Sequence, residues 1–348
     1  MLKTAKKNIR QLGRDELEQY FETISEKKFR AQQVYEWLWQ KHAHSFEDMT
    51  NLSKELRAKL NDHFTIPALH TDATQFSADG TMKSRFRTVD GHMIEGVLIP
   101  TDERKTACVS SQIGCSLSCK FCATGYMDRK RNLEFDEIYD QVVMINQQCE
   151  KAYEKHLSNI VFMGMGEPLL NYKNVLKAIE KITSPDGLGM SPKRITVSTA
   201  GVAKMIKQLG DDKVKFKLAL SLHAATDVKR HEIMPINDTN NIKSLIEALN
   251  YFYKQTGNEI TFEYILFKDF NDSLKDADEL TKIYRQVPAD LVNIIEYNPI
   301  DLAQFRKPDE DTVEKFMNHL SKNRVNARLR VSRGKDIDAA CGQLANKE

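Results

Sequence analysis

The sequence predicts an α/β fold, a parallel sheet flanked by helices and preceded by a smaller helical region. Seven strand-like runs, TACVSS, NIVFMG, RITVST, FKLALSLH, ITFEYILF, LVNIIEYN and NARLRVSR, follow one another between residues 106 and 333. Amphipathic segments separate them, near 134–150, 172–184, 202–209, 242–256, 274–287 and 310–322. Connections of that length suit βα crossovers, which set neighbouring strands parallel and helices outside. The third observation is where polar groups fall. Gly166-Glu167, Ser198, Ser221 with His223, and Asn298 stand at the carboxyl ends of candidate strands. That edge carries the site in an open parallel barrel and in a doubly wound sheet alike, so the pattern leaves both open.

Ahead of this region, residues 1 to about 65 read as helical. Leu17, Tyr20, Phe21 and Ile24 recur at helical spacing, FRAQQVYEWLWQ places Val34, Leu38 and Trp39 on one side, and Leu52, Leu56 and Leu60 form a third stripe. Helices this short are marginal alone, so they are expected to pack together or onto something larger. Lys and Arg lie between the apolar positions, which suits a solvated face or an accessory domain facing nucleic acid. From about 70 to 100, SRFRTVDGHMIEGVLI reads as two short strands turned at Asp90-Gly91.

Hydrophobic residues make up 41% of the 348 and charged residues 29%, enough apolar surface for a core and too much for global disorder. The 51 basic residues nearly balance the 49 acidic ones, so any nucleic-acid-binding face must be local. No run is long enough to cross a bilayer, and MLKTAKKNIRQ lacks the apolar stretch of a secretory signal. A cytoplasmic, reducing setting is expected, in which six cysteines are too sparse to be a disulfide scaffold.

Three of those cysteines crowd into CSLSCKFC, as Cys115, Cys119 and Cys122, just after the first candidate strand of the alternating region. Close thiolates can converge on one soft metal centre, and a four-iron cluster normally takes four. Here no fourth cysteine completes the run, so in a cluster held by these three an open iron could bind a small molecule instead. Structural zinc is the competing reading, but it favours paired short spacings and a nearby fourth ligand; His223 would have to be recruited from afar. Coincidence of buried thiols is the other.

CxxxCxxC with an aromatic residue, Phe121, before its last cysteine resembles the signature of the radical S-adenosylmethionine (SAM) enzymes. CVSSQIGC at 108–115, GMGEPLLN at 164–171, STAG at 198–201, SLHA at 221–224, MPIN at 234–237, EYNP at 296–299 and DIDAACGQL at 336–344 narrow the match. In that order they resemble the radical SAM adenine-C2 RNA methyltransferases, from about residue 10 to the end.

The resemblance implies an incomplete (β/α)6 TIM-type barrel with an N-terminal helical accessory domain and a small β extension. It divides the chain into residues 1–68, 69–100, a barrel core at 101–333 and a C-terminal tail at 334–348. It implies that Cys115, Cys119 and Cys122 hold a [4Fe–4S] cluster whose open iron chelates SAM. Gly166, Glu167, Ser198, Ser221, Leu222, His223 and Asn298 match cofactor-binding positions. Two SAM molecules are implied per methylation. One methylates Cys341; the other is cleaved to a radical that removes hydrogen from the S-methyl group. The methylene radical then adds to adenine C2, Glu95 accepts the C2 proton, and Cys108 releases product by forming a disulfide with Cys341. Cys149 matches no family role and reads as structural.

The implied partners are 23S rRNA before ribosome assembly is complete, certain tRNAs, and a reduced flavodoxin or ferredoxin-type electron donor; a monomer without membrane contact is expected. DRKRN at 128–132, with Lys27, Lys28 and Arg30, is the candidate phosphate-gripping surface. Reaching a buried radical also requires the target base to leave its stack. The related C8-methylating resistance enzymes share the cluster and the cysteine pair; GEP at 166–168 leans toward the C2 branch. A non-enzymatic iron–sulfur or zinc RNA-binding protein is the rival of another class.

Overall fold

Ten strands form one continuous sheet whose spatial order follows the chain without a reversal. The structure, a computed structural model, describes residues 6–347. The first five residues of the predicted helical stretch and the last residue of the tail lie outside it. The strands are β1 (His70–Phe76), β2 (Met82–Arg87), β3 (Met93–Pro100), β4 (Lys105–Cys108) and β5 (Asn159–Phe162). They continue as β6 (Ile195–Thr199), β7 (Lys217–Ser221), β8 (Ile260–Leu266), β9 (Leu291–Glu296) and β10 (Ala327–Arg330). From β4 to β10 every pairing is parallel.

A doubly wound sheet requires the strand order to turn back on itself. This one never does, so successive crossovers wind the same way and the sheet curls into an open barrel. Among the described residues no ladder joins β10 to β4, which leaves the barrel incomplete. Six helices make the crossovers: α4 (Phe135–Tyr153), α5 (Tyr172–Thr183), α6 (Ala203–Asp211), α8 (Ile242–Thr256), α9 (Leu274–Tyr284) and α10 (Glu310–Lys322). The short α7 (Asp227–Ile233) precedes α8 in the same connection and had no periodic signal to announce it.

Strand composition follows position. β8, ITFEYIL, lies in mid-barrel and is buried at every residue, as expected where both faces of a parallel sheet are covered. β1, HTDATQF, is an edge strand with mostly exposed side chains. With no apolar run it escapes a pattern search, so the expected two-stranded extension is in fact three-stranded. Its β2–β3 turn lies where Asp90-Gly91 placed it: Gly91 has φ +84° and donates to the Thr88 carbonyl at 2.9 Å. β3 also pairs with β4, which makes the extension continuous with the barrel sheet.

Of the N-terminal helices α1 (Arg14–Thr23), α2 (Phe29–Trp39) and α3 (Lys54–His63), α1 packs on α2, and α2 docks on α4. Trp39 stacks on Phe135 with ring centroids 5.7 Å apart, and its carbonyl accepts the Tyr139 hydroxyl at 2.6 Å. Arg10, also buried, binds Asp140 through two nitrogens at 2.6 and 2.8 Å. A bidentate pair taken out of water fixes orientation more than it adds stability.

Candidate functional site

The cluster-loop cysteines project from the connection between β4 and α4, at the carboxyl end of the barrel. Local geometry shapes this loop. Cys122 N–H donates to the Cys119 carbonyl at 3.2 Å, Gly125 N–H donates to the Cys122 carbonyl at 2.9 Å, and Ser118 takes a left-handed φ of +51°. A Cβ on Gly125 would lie 2.7 Å from the Cys119 carbonyl oxygen, so only glycine lets the chain fold back this tightly. Phe121 anchors the loop from below, edge-on to His223 at 4.7 Å and against Phe267 at 5.7 Å.

All three thiols line one cavity of about 140 Å³. Among the described residues no three His, Cys, Asp or Glu side chains form a compact ligand group for a single ion. Burial, then the charges of Cys122 and Cys115, push the Cys119 thiol well above its usual range; burial raises Cys115 to about 11. A larger cationic centre spanning the three sulfurs would relieve both penalties, and the donor set is that of a cluster.

The opposite wall of the cavity comes from strand ends. Gly166 has φ +90°, and a Cβ there would strike Gln112 at 2.4 Å. Glu167 is buried; its Oε2 accepts Ala200 N–H at 2.7 Å and its Oε1 accepts Leu169 N–H at 3.0 Å. Those bonds fix the carboxylate against the burial that raises its pKa. Ser198 and Ser221, at the ends of β6 and β7, place their hydroxyls 3.3 Å apart. His223 accepts Ile265 N–H on Nδ1 at 3.1 Å, which assigns its proton to Nε2. Burial, then the nearby Arg230, lowers its pKa to about 3, so the ring is neutral.

Two of the expected cofactor positions stand apart from this wall. The Leu222 side chain belongs to the core, and only its neighbours Ser221 and His223 face the cavity. Asn298 donates from Nδ2 to the Cys341 carbonyl at 3.3 Å and so holds the tail.

Cys108, at the end of β4, and Cys341, in the tail, line a second, adjoining cavity of about 500 Å³, and Cys341 faces both cavities. Burial first, then the charge of Cys341, pushes the Cys108 thiol up to about 12, while Arg330 opposes the rise. Glu95 is buried on β3; its Oε2 accepts Ala345 and Asn346 N–H at 2.9 and 3.1 Å. The tail is thus in contact with the residue expected to act as proton acceptor. Cys149 is buried in α4, away from both cavities.

Sequence reasoning missed several residues that build this region. Arg230, wholly buried, donates to the carbonyls of Ala200 and Leu222 at 2.5 and 3.2 Å, and to Asn237 Oδ1 at 2.9 Å. It ties together the loops that follow β6 and β7. In the sequence it is one letter of a charged run, and MPIN, whose Asn237 it binds, was the only hint. Arg330 faces both cavities and pairs with buried Glu263 at 3.4 Å.

The basic surface is narrower than expected. Arg131 is held between Asp90 and Glu137, each at 2.7 Å, so its charge is neutralised and it leaves the candidate phosphate-binding set. Lys130 pairs with Asp128 at 3.6 Å and Lys28 with Glu22 at 2.7 Å. Arg129, Lys27 and Arg30 make no ion pair among the described residues; Arg30 donates to Gln33 and the Asn51 carbonyl.

Known proteins resemble this chain along its whole length. Residues 7–66 match the ribosomal RNA large subunit methyltransferase N-terminal domain, and residues 109–281 match the radical SAM superfamily. A probable dual-specificity RNA methyltransferase RlmN of Cytophaga hutchinsonii is 59% identical over 99% of this chain and 94% of its own length. One from Christiangramia forsetii is 55% identical over 99% of this chain and 98% of its own. The crystal structure of a radical SAM methyltransferase from Sphaerobacter thermophilus superposes with a TM-score of 0.92 at 38% identity, covering 98% of this chain and 100% of that one. With its cysteine loop, open parallel barrel and tail already described, the chain belongs to the radical SAM superfamily and, within it, to the dual-specificity RNA methyltransferase RlmN family.

Proposed function

We propose that the protein methylates C2 of adenosine in RNA, in the peptidyl transferase centre of 23S rRNA and in certain tRNAs. The observation that carries this is one cavity at the barrel mouth lined together by Cys115, Cys119, Cys122, Glu167, Ser198, Ser221, His223 and the tail residue Cys341. When bound, a [4Fe–4S] cluster with SAM supplies one-electron cleavage and a carbon-centred radical, the chemistry that an electron-poor adenine carbon requires.

The chain's own residues do the rest. Cys115, Cys119 and Cys122 hold the cluster. Glu167, fixed by two backbone N–H groups, presents negative charge to a cofactor ammonium, and Ser198 and Ser221 offer neutral hydroxyls for ribose or carboxylate. Neutral His223 supplies a donor on Nε2 without adding charge. Cys341 Sγ takes a methyl group from one of the two SAM molecules consumed and carries it to the RNA. Glu95 accepts the C2 proton of the adduct once the adduct has given up its unpaired electron to a one-electron acceptor. Cys108 Sγ then attacks Cys341 Sγ: a disulfide forms, the bond from sulfur to the product carbon breaks, and its electron pair stays with that carbon, which takes up a proton.

The target base must flip out to reach the cavity. Of the expected basic residues, Arg129, Lys27 and Arg30, which make no ion pair among the described residues, are the first candidates to meet RNA phosphates. The enzyme acts as a monomer in the cytoplasm on 23S rRNA not yet fully assembled, fed by a reduced flavodoxin or ferredoxin-type donor. No helix among the described residues is long and apolar enough to cross a membrane.

The test is anaerobic reconstitution with iron, sulfide, SAM, a reductant and RNA, followed by mass spectrometry of the nucleosides. The expected product is 2-methyladenosine. Production of 8-methyladenosine assigns the chain to the C8 chemistry instead; RNA retention without SAM cleavage makes it a binding protein.

A further inference from the structure

Cys341 lies in a loop whose two ends are gripped from one place. On the way in, the Asp338 carbonyl accepts a hydrogen bond from Lys83 Nζ at 3.4 Å. On the way out, Ala345 and Asn346 N–H both donate to Glu95 Oε2, at 2.9 and 3.1 Å. Lys83 and Glu95 are themselves paired, Nζ to Oε1 at 3.5 Å, with side chains only 5% and 1% exposed. They sit on adjacent antiparallel strands, Lys83 opposite Val97 and Glu95 two residues before it, so both side chains point to one face of the β2–β3 hairpin.

A buried ion pair is a poor stabiliser of a hairpin, because desolvation consumes most of the attraction unless other polar groups complete it. Here the groups that complete it all come from the tail. The middle of the loop is held separately. Ala123 N–H donates to the Gly342 carbonyl at 2.7 Å, and the Thr124 hydroxyl donates to the Leu344 carbonyl at 2.7 Å. The hairpin thus holds the feet of the loop, and the cluster loop, with Asn298 at the Cys341 carbonyl, holds its centre.

We propose that the Lys83–Glu95 pair is a clamp that sets the Cys341 loop at the mouth of the cluster cavity. Lys83 is then a positioning residue for methyl transfer, and Glu95 is the tail's anchor before it is a proton acceptor. This rests on the methyl-carrier reading of Cys341. While Ala345 and Asn346 are bound, Glu95 Oε2 is occupied. Letting go of those two N–H groups frees the carboxylate to take the C2 proton, so deprotonation is coupled to release of the tail.

The experiment is hydrogen–deuterium exchange on the cluster-loaded full chain without RNA, read by mass spectrometry over residues 338–347. Glu95→Ala and Lys83→Gln are expected to speed exchange there by about ten-fold, while β8 and α4 stay protected. Glu95→Gln keeps an oxygen that accepts the two N–H groups and is expected to stay within about three-fold of the parent. Alkylation of Cys341 by iodoacetamide should follow the same ranking. Parent-like tail exchange in both Glu95→Ala and Lys83→Gln overturns the clamp, as does equal loosening in Glu95→Gln and Glu95→Ala. If Lys83→Gln loses core protection, the two Glu95 variants decide alone. The methyl-carrier reading is checked separately, by peptide mass spectrometry for S-methylation of Cys341 in the parent protein given SAM. Either idea can therefore fail while the other stands.

Discussion

The two sets of cysteines to which the proposed reaction gives work are built by opposite means. Cys115, Cys119 and Cys122 fall within eight residues, and one tight loop shapes their arrangement. Cys108 and Cys341 are 233 positions apart and meet across the same cavity only because β4 ends where the tail folds back. The first set takes its spacing from its own loop, with Phe121 anchoring it on His223 and Phe267; the second depends on every contact that holds the tail. Lesions in the loop should therefore act on the cofactor, and lesions around the pair on the later steps.

The largest expected effect sharpens that division. Cys119→Ala should reduce reductive SAM cleavage to background and lower the iron held per chain, since a cluster left with two thiolates is not retained. Iron analysis and chromatography of the cleavage product check it. Cys108→Ala should leave iron and SAM cleavage at parental levels yet trap RNA covalently on Cys341, visible on a denaturing gel. A variant that keeps its cluster but forms no adduct breaks the comparison at the pair.

A subtler loop lesion comes next. Gly125→Ala adds a methyl 2.7 Å from the Cys119 carbonyl, and the loop must open to accept it. Iron retention during dialysis against a chelator should weaken by about ten-fold, with unfolding little changed.

The smallest effect concerns acid stability. The folded pKa of His223 is lowered to about 3, so between that value and its unfolded pKa near 6.5 the unfolded chain binds a proton that the folded chain does not. Stability contributed by the neutral ring is present above pH 6.5 and lost as pH falls, by about 2 kcal/mol at pH 5. His223→Gln should flatten that part of the curve in urea unfolding measured at several pH values. An unchanged slope means the ring titrates normally and its pocket is more open than its contacts imply.

Much of this was legible before any coordinates. The strand runs and helical stripes placed all seven parallel strands and the six crossover helices, because a repeating βα unit carries its period in the chain. CSLSCKFC pointed to a metal loop because ligand spacing is a local property; the structure puts its three cysteines on one cavity. β1 was invisible because an exposed edge strand needs no apolar run. Arg131 looked like a free cation because nothing in DRKRN records that Asp90 and Glu137 close on it from elsewhere.

By itself the sequence determined the βα repeat and the run of three close cysteines with no fourth beside them. Whether the repeat wound into a barrel or a doubly wound sheet was settled only in three dimensions, by a strand order that never reverses. The meeting of Cys108 with Cys341, Arg230 bridging two strand-end loops, and the grip of Lys83 and Glu95 on the tail were settled there too. The physical reason is common to all of them. Periodicity and ligand spacing are short-range and leave a mark on neighbouring residues, whereas a buried charge is placed by partners far away in the chain, which no local pattern encodes.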